Sequence, residues 1–162
     1  MGKCSEEVQR MLVREAVTFT EAEYKVIKPY LNIKEDDKLT DDAKKTALEN
    51  LGLADGAYGV AKAAVNAYTM ELARRYPSLY INACTPGFIA TDLTKSYAEK
   101  AGKTPAEMGM KTPEEGATAA VKLTMASLAR EESGRFYGSD ALRSPLHKYR
   151  SPGTPEYDGS FP

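Results

Sequence analysis

The sequence predicts an α/β fold, rich in helix and built around a pair of parallel strands. Helical and strand-like stretches alternate between residues 57 and 138 in the order helix, strand, helix, strand. That is the pattern of a crossover connection between parallel strands, right-handed by the usual rule. The strand-like stretches are short, apolar and bounded by Pro or Gly, as buried strands are. Several of the helices carry their own start and stop residues.

The chain divides into a helical segment, 1–54, a mixed segment, 55–144, and a Pro-rich tail, 145–162. Ser5 is placed to cap a helix through SEEVQRMLVREA, where Val8, Met11, Leu12 and Ala16 fall near helical spacing. Thr20 and Glu23 form a capping-box signature for a second helix, which Pro29 should disturb. NIKEDDKLTDD reads as a charged loop, and DDAKKTALENLG as a helix closed by Gly52 in the left-handed region.

The strongest helix spans 57–76, AYGVAKAAVNAYTMELARRY. Val60, Ala64, Tyr68, Leu72 and Ala61, Val65, Thr69, Ala73 form adjoining i, i+4 rows, so a broad apolar surface is expected. SLYINAC, 78–84, reads as a buried strand, with a turn at Pro86 and Gly87 and Thr91 as the next helix cap. Residues 95–111 read as a mobile surface segment. Thr112, Pro113 and Glu115 then open a helix to residue 129. GRFYGS is a second strand between Gly134 and Gly138, and the tail should be extended, without a core of its own. Two short strands make a poor sheet, so the 57–76 helix needs something larger to cover.

Composition excludes several kinds of chemistry. With 22 basic and 23 acidic residues, nothing in the charge balance favours nucleic acid or an anionic membrane as partner. No apolar stretch approaches the roughly 20 residues that span a bilayer. Cys4 and Cys84 lack metal-ligand spacing and point to a reducing, cytoplasmic compartment. The single His147 argues against a multi-histidine metal site and a His-based triad. Gly2 behind Met1 hints at acylation, but Glu6 stands where that signal needs Ser or Thr. Acid–base chemistry therefore falls to Tyr, Lys, Asp or Glu.

One pair is singled out within DGAYGVAKAAV. Tyr58 and Lys62 lie four residues apart and so share a helical face. Among ten tyrosines, about one such match is expected by chance, and Tyr24 with Lys28 supplies a second. The flanking residues must decide.

YGVAK at 58–62, followed by INACTPGFIATDL at 81–93, resembles the C-terminal half of a short-chain dehydrogenase/reductase. The closer likeness is to the monomeric carbonyl reductases, in which a segment similar to residues 3–24 is a helical insertion; FYGSDALRSPL resembles their last strand. The resemblance implies the C-terminal half of a Rossmann-like doubly wound parallel sheet, with about two strands present. It implies an oxidoreductase that reduces a ketone, aldehyde or quinone with hydride from NADPH. Tyr58 would be the general acid, and Lys62 its activator and a cofactor ligand. Pro86, Gly87, Ile89 and Thr91 would form the nicotinamide-side loop. The chemistry is coherent, since a phenol is a reluctant acid at neutral pH and a nearby ammonium favours its ionised form.

The sequence also departs from the family. A dinucleotide fold opens with a glycine-rich turn, in this family Gly-x-x-x-Gly-x-Gly, which grips the pyrophosphate, and no such run stands in this sequence. Gly52 and Gly56 have the first interval, but Tyr58 stands where the last glycine would be. The expectation is that Met1 corresponds to an internal position of a longer protein. This chain by itself should neither bind NADPH tightly nor turn over, and should need a companion chain, self-association or a larger assembly. The alternative is a non-catalytic structural or interaction subunit derived from a reductase.

Overall fold

The computed structural model describes residues 5–8, 23–53, 56–127, 130–146 and 150–159. Its described part is a helix-rich α/β arrangement with a small mixed sheet, a partial Rossmann-like fold. Residues 9–20, with Met11, Leu12, Ala16 and the cap residue Thr20, lie outside the described residues, as do Gly2, Cys4 and His147.

In the helical segment Ser5 Oγ accepts from the Val8 amide at 3.3 Å, as a cap should. A π turn, Glu23–Ile27, runs directly into α1, Lys28–Glu35. Pro29 therefore does not break the helix. A proline in the first turn of the α-helical part loses little, and the wider π turn before it relieves the ring's clash with the preceding carbonyls. The expected loop from Asn32 is helical as far as Glu35, and the turn is confined to the next few residues, where Asp36 accepts from the Lys38 amide. Thr40 caps α2, Asp41–Asn50, accepting from the Ala43 amide at 3.3 Å, and acidic Asp41 and Asp42 suit the positive end of the helix. The helix ends in a Schellman motif: Gly52 (φ +68°) donates to the Glu49 carbonyl and Leu53 to Leu48, both at 2.9 Å.

The long helix, α3, is Ala57–Arg75. Its buried stripe is Val60, Ala63 and Ala67, of which only Val60 belongs to the rows expected from the sequence. The small alanines let the helical segment come close, and Val8, Val26, Tyr30, Leu48 and Leu53 complete one core with them. Val65 and Tyr68 are left exposed.

The first strand, β1, is only Ala83–Cys84, half-buried rather than buried. Before β1 the pairing is mixed: the Gly134 amide still donates to the Ile81 carbonyl at 2.8 Å, but Ser133 Oγ accepts from the Ile81 amide and Asn82 Oδ1 from the Arg135 amide in place of backbone carbonyls. After β1 come α4, Asp92–Lys100, and α5, Pro113–Met125, then β2, Phe136–Tyr137, parallel to β1 with Ala83 opposite Phe136. Residues 95–100, read as mobile, are thus helical, and the helix opening at Thr112 stops at Met125, short of residue 129. A third strand, β3, Arg143–Ser144, pairs antiparallel with β2. The return is tight because Ala141 adopts φ +62° and donates to the Gly138 carbonyl at 2.9 Å. The order is β1-β2-β3, leaving β1 at an edge. No helix of the described residues is long and apolar enough to cross a membrane.

Candidate active site

The start of α3, the end of β1 with its following turn, and the β2–β3 hairpin surround a cavity of about 590 Å³. Tyr58 and Lys62 line it from the helix, and Pro86 and Gly87 from the turn. Tyr58 is 75% exposed, so a ligand can reach it. Lys62 Nζ lies 5.4 Å from the centre of the Tyr58 ring, on the same side of the helix, within cation–π range.

Small residues keep this wall open. A Cβ built on Gly59 would meet nothing within 4 Å, so a ligand can approach the helix backbone there. Thr85 Oγ1 accepts from the Gly87 amide at 3.2 Å, and Gly87 adopts φ +91° with Ser139 close behind it. A side chain at Gly87 would be strained by that backbone.

Ile89 and Thr91 do not line the cavity. Ile89 is buried and pairs with Lys111 through an isolated bridge, in which Lys111 N donates to Phe88 O at 2.8 Å and Ala90 N to Lys111 O at 2.9 Å. Its carbonyl accepts from the Thr91 amide at 3.0 Å and from the Thr94 hydroxyl. Thr91 is the N-cap of α4 and closes a capping box with Thr94, whose Oγ1 accepts from the Thr91 amide at 2.9 Å. The turn thus splits in two: Pro86 and Gly87 face the cavity, while Ile89 and Thr91 anchor the loop to α4 and to Lys111.

Other residues meet the cavity that sequence reasoning missed. Asn66 lines it one turn beyond Lys62. Its i, i+4, i+8 relation to Tyr58 and Lys62 was a usable signal. Cys84 lines it from β1, and burial pushes its thiol above the ordinary range. Ser139, Ser144 and Arg150 come from the hairpin and the tail, where no spacing pointed to them. Among the described residues, no three His, Cys, Asp or Glu side chains gather as a metal site would require.

No protein-family model matches the chain. It is 42% identical over 81 residues to short-chain dehydrogenase/reductase 1 of Saponaria officinalis, covering 50% of this chain and 23% of that protein. It is 34% identical over 131 residues to carbonyl reductase (NADPH) 1 of Rattus norvegicus, covering 77% of this chain and 40% of that protein. The same enzyme of Macaca fascicularis is 30% identical over 137 residues, 81% of this chain and 42% of that protein. The chain thus spans from about a quarter to about two-fifths of the length of these relatives.

Proposed function

We propose that this chain, a relative of the short-chain dehydrogenase/reductases and of carbonyl reductases among them, carries the proton-transfer side of an NADPH-dependent reduction of a small ketone, aldehyde or quinone. The supporting observation is that the exposed Tyr58, Lys62 and the Pro86–Gly87 turn line one cavity. NADPH would supply the hydride that adds to the carbonyl carbon. The Tyr58 hydroxyl donates its proton to the carbonyl oxygen, which leaves an alcohol and a phenolate that water reprotonates. Lys62 stabilises that phenolate by its charge and would hold the nicotinamide ribose. The open backbone at Gly59 and the turn at Pro86 and Gly87 fit a flat ring entering edgewise. Ile89 and Thr91 support this loop from behind, in keeping with their bonds to Lys111 and Thr94.

The same reading requires a partner. The edge position of β1 and the exposed Val65, Tyr68 and Tyr80 leave apolar surface and a strand edge to be covered by a companion chain, a second copy or a larger assembly. A cytoplasmic setting suits two cysteines without disulfide or metal spacing.

The test is Tyr58→Phe in the assembled protein, assayed for NADPH oxidation with a panel of aromatic ketones, aldehydes and quinones. Loss of a general acid should lower kcat by roughly a hundredfold or more. NADPH affinity should stay within about twofold, since a phenol oxygen is all that is removed. Undiminished turnover would remove Tyr58 from the acid's role. No turnover even by the unmutated assembly would favour a non-catalytic subunit.

A further inference from the structure

The Pro-rich tail is fastened to the cavity rim. Arg150 is the fastening: its side chain is only 6% exposed, and its guanidinium donates to the Asp140 carboxylate, to Ser144 Oγ at 3.0 Å and to the Thr154 carbonyl at 2.8 Å. Gly138 makes room for this cluster. A Cβ there would stand 2.8 Å from Arg150 Nη2 and 2.9 Å from both Asp140 Oδ1 and Ser144 Oγ. Asp140 also accepts from the Gly153 amide at 3.2 Å. A second fastening lies further along, where Glu156 Oε1 accepts from the Arg143 amide at 2.9 Å, Tyr157 N donates to Arg143 O at 3.0 Å, and the Arg143 guanidinium sits over the Tyr157 ring. So residues 150–157 form a strap tied at both ends. Its inner side, Arg150 and Pro152, together with Pro145 and Leu146, lines the cavity that Tyr58 and Lys62 line from the helix.

We propose that Arg150 is a positioning residue: by locking onto Asp140 it sets the strap as a wall of the Tyr58 cavity and so decides the size of apolar carbonyl compound admitted. The proposal rests on the reductase reading for the reaction, while the wall is a matter of packing alone. A charge this buried does not stay uncompensated, so the strap holds its place only while Asp140, Ser144 Oγ and the Thr154 carbonyl are met together. A wall made of two prolines and a leucine has few rotamers, which suits it to discriminate by shape.

The experiment measures the affinities of acetophenone and benzophenone for the 162-residue chain by ligand-observed NMR. Arg150→Met, which keeps the length and loses every bond, should shift the ratio of the two dissociation constants about tenfold toward the larger ketone. Arg150→Lys, which keeps the ion pair, should restore part of the ratio. Glu156→Ala removes the acceptor at the other end without touching the buried pair, and should shift the ratio in the same direction. A merely structural role would weaken both ketones equally and leave the ratio where it was. An unchanged ratio in Arg150→Met and Glu156→Ala, or no saturable binding of either ketone, overturns the proposal. A shifted ratio alongside undiminished turnover in Tyr58→Phe upholds the wall while refuting the assignment of the acid.

Discussion

The Ile89 side chain fills the space where a Cβ on Gly116 would stand, its Cδ1 lying 2.8 Å and its Cγ1 2.9 Å from that point. This contact seats the first turn of α5 on the loop that follows the Pro86–Gly87 bend. Gly116→Ala should therefore cost about 1–3 kcal/mol, the usual range for overpacking. Ile89→Val in the same chain should recover part of it, giving a non-additive pair in urea unfolding. Additive losses would mean the two residues do not press on each other.

Gly52 carries two demands at once. Its φ of +68° is left-handed, and an added Cβ would stand 2.1 Å from Ser5 Oγ. The backbone term alone is roughly 1–2 kcal/mol. Gly52→Ala should exceed that in chemical denaturation, because the Ser5 amide also donates to the Gly52 carbonyl at 2.7 Å.

The strap should be acid-sensitive. Burial raises the tendency of Asp140 to hold a proton, but Arg150 and the Gly153 and Leu142 amides outweigh it and leave the carboxyl below its ordinary value. A lowered folded value stabilises the native state above the unfolded carboxylate value of about 4 and stops doing so as pH falls through the folded value. Hydrogen exchange at the Gly153 and Tyr157 amides should accelerate below about pH 4, beyond the intrinsic trend. Asp140→Asn should exchange fast throughout and show no such step.

Lys62→Met keeps the stem of the side chain and removes its charge. It should weaken NADPH binding by the assembled protein roughly tenfold and lower turnover further, if Lys62 holds the ribose and steadies the phenolate as proposed. If KM for NADPH did not move, Lys62 would not be a cofactor ligand.

Sedimentation should show the chain self-associated or held in a larger complex. Tyr68→Lys places a charge on the uncovered side of α3 and should shift the equilibrium toward monomer. A compact, cooperatively unfolding monomer at micromolar concentration would contradict the partner requirement.

Much of this fold was legible because local chemistry governs it. Gly52, Thr91 and Thr112 all stand at helix ends as their side chains or backbone freedom require. The two parallel strands were found near their places, though shorter than expected, since Ser133 and Asn82 side chains replace ladder bonds that no pattern reveals. The third strand escaped notice because SDALRS does not alternate and the turn depends on Ala141 in an unusual conformation. The buried side of α3 was misjudged because alanine rows look equivalent until a neighbour chooses one of them, and here the core shared with the helical segment takes Ala63 and Ala67. At the site, spacing brought Tyr58 and Lys62 together. The Arg150 strap was illegible, since its contacts span the chain through a buried pair rather than a period.

Cys84 turns the cavity wall into a gauge. Cys84 sits on the edge strand, half-covered and lining the same space as Tyr58, so a ligand held in that space should slow its reaction with a small maleimide. In a Cys4→Ser background, the rate of alkylation would report occupancy directly, without any need for turnover or for knowing the natural ligand.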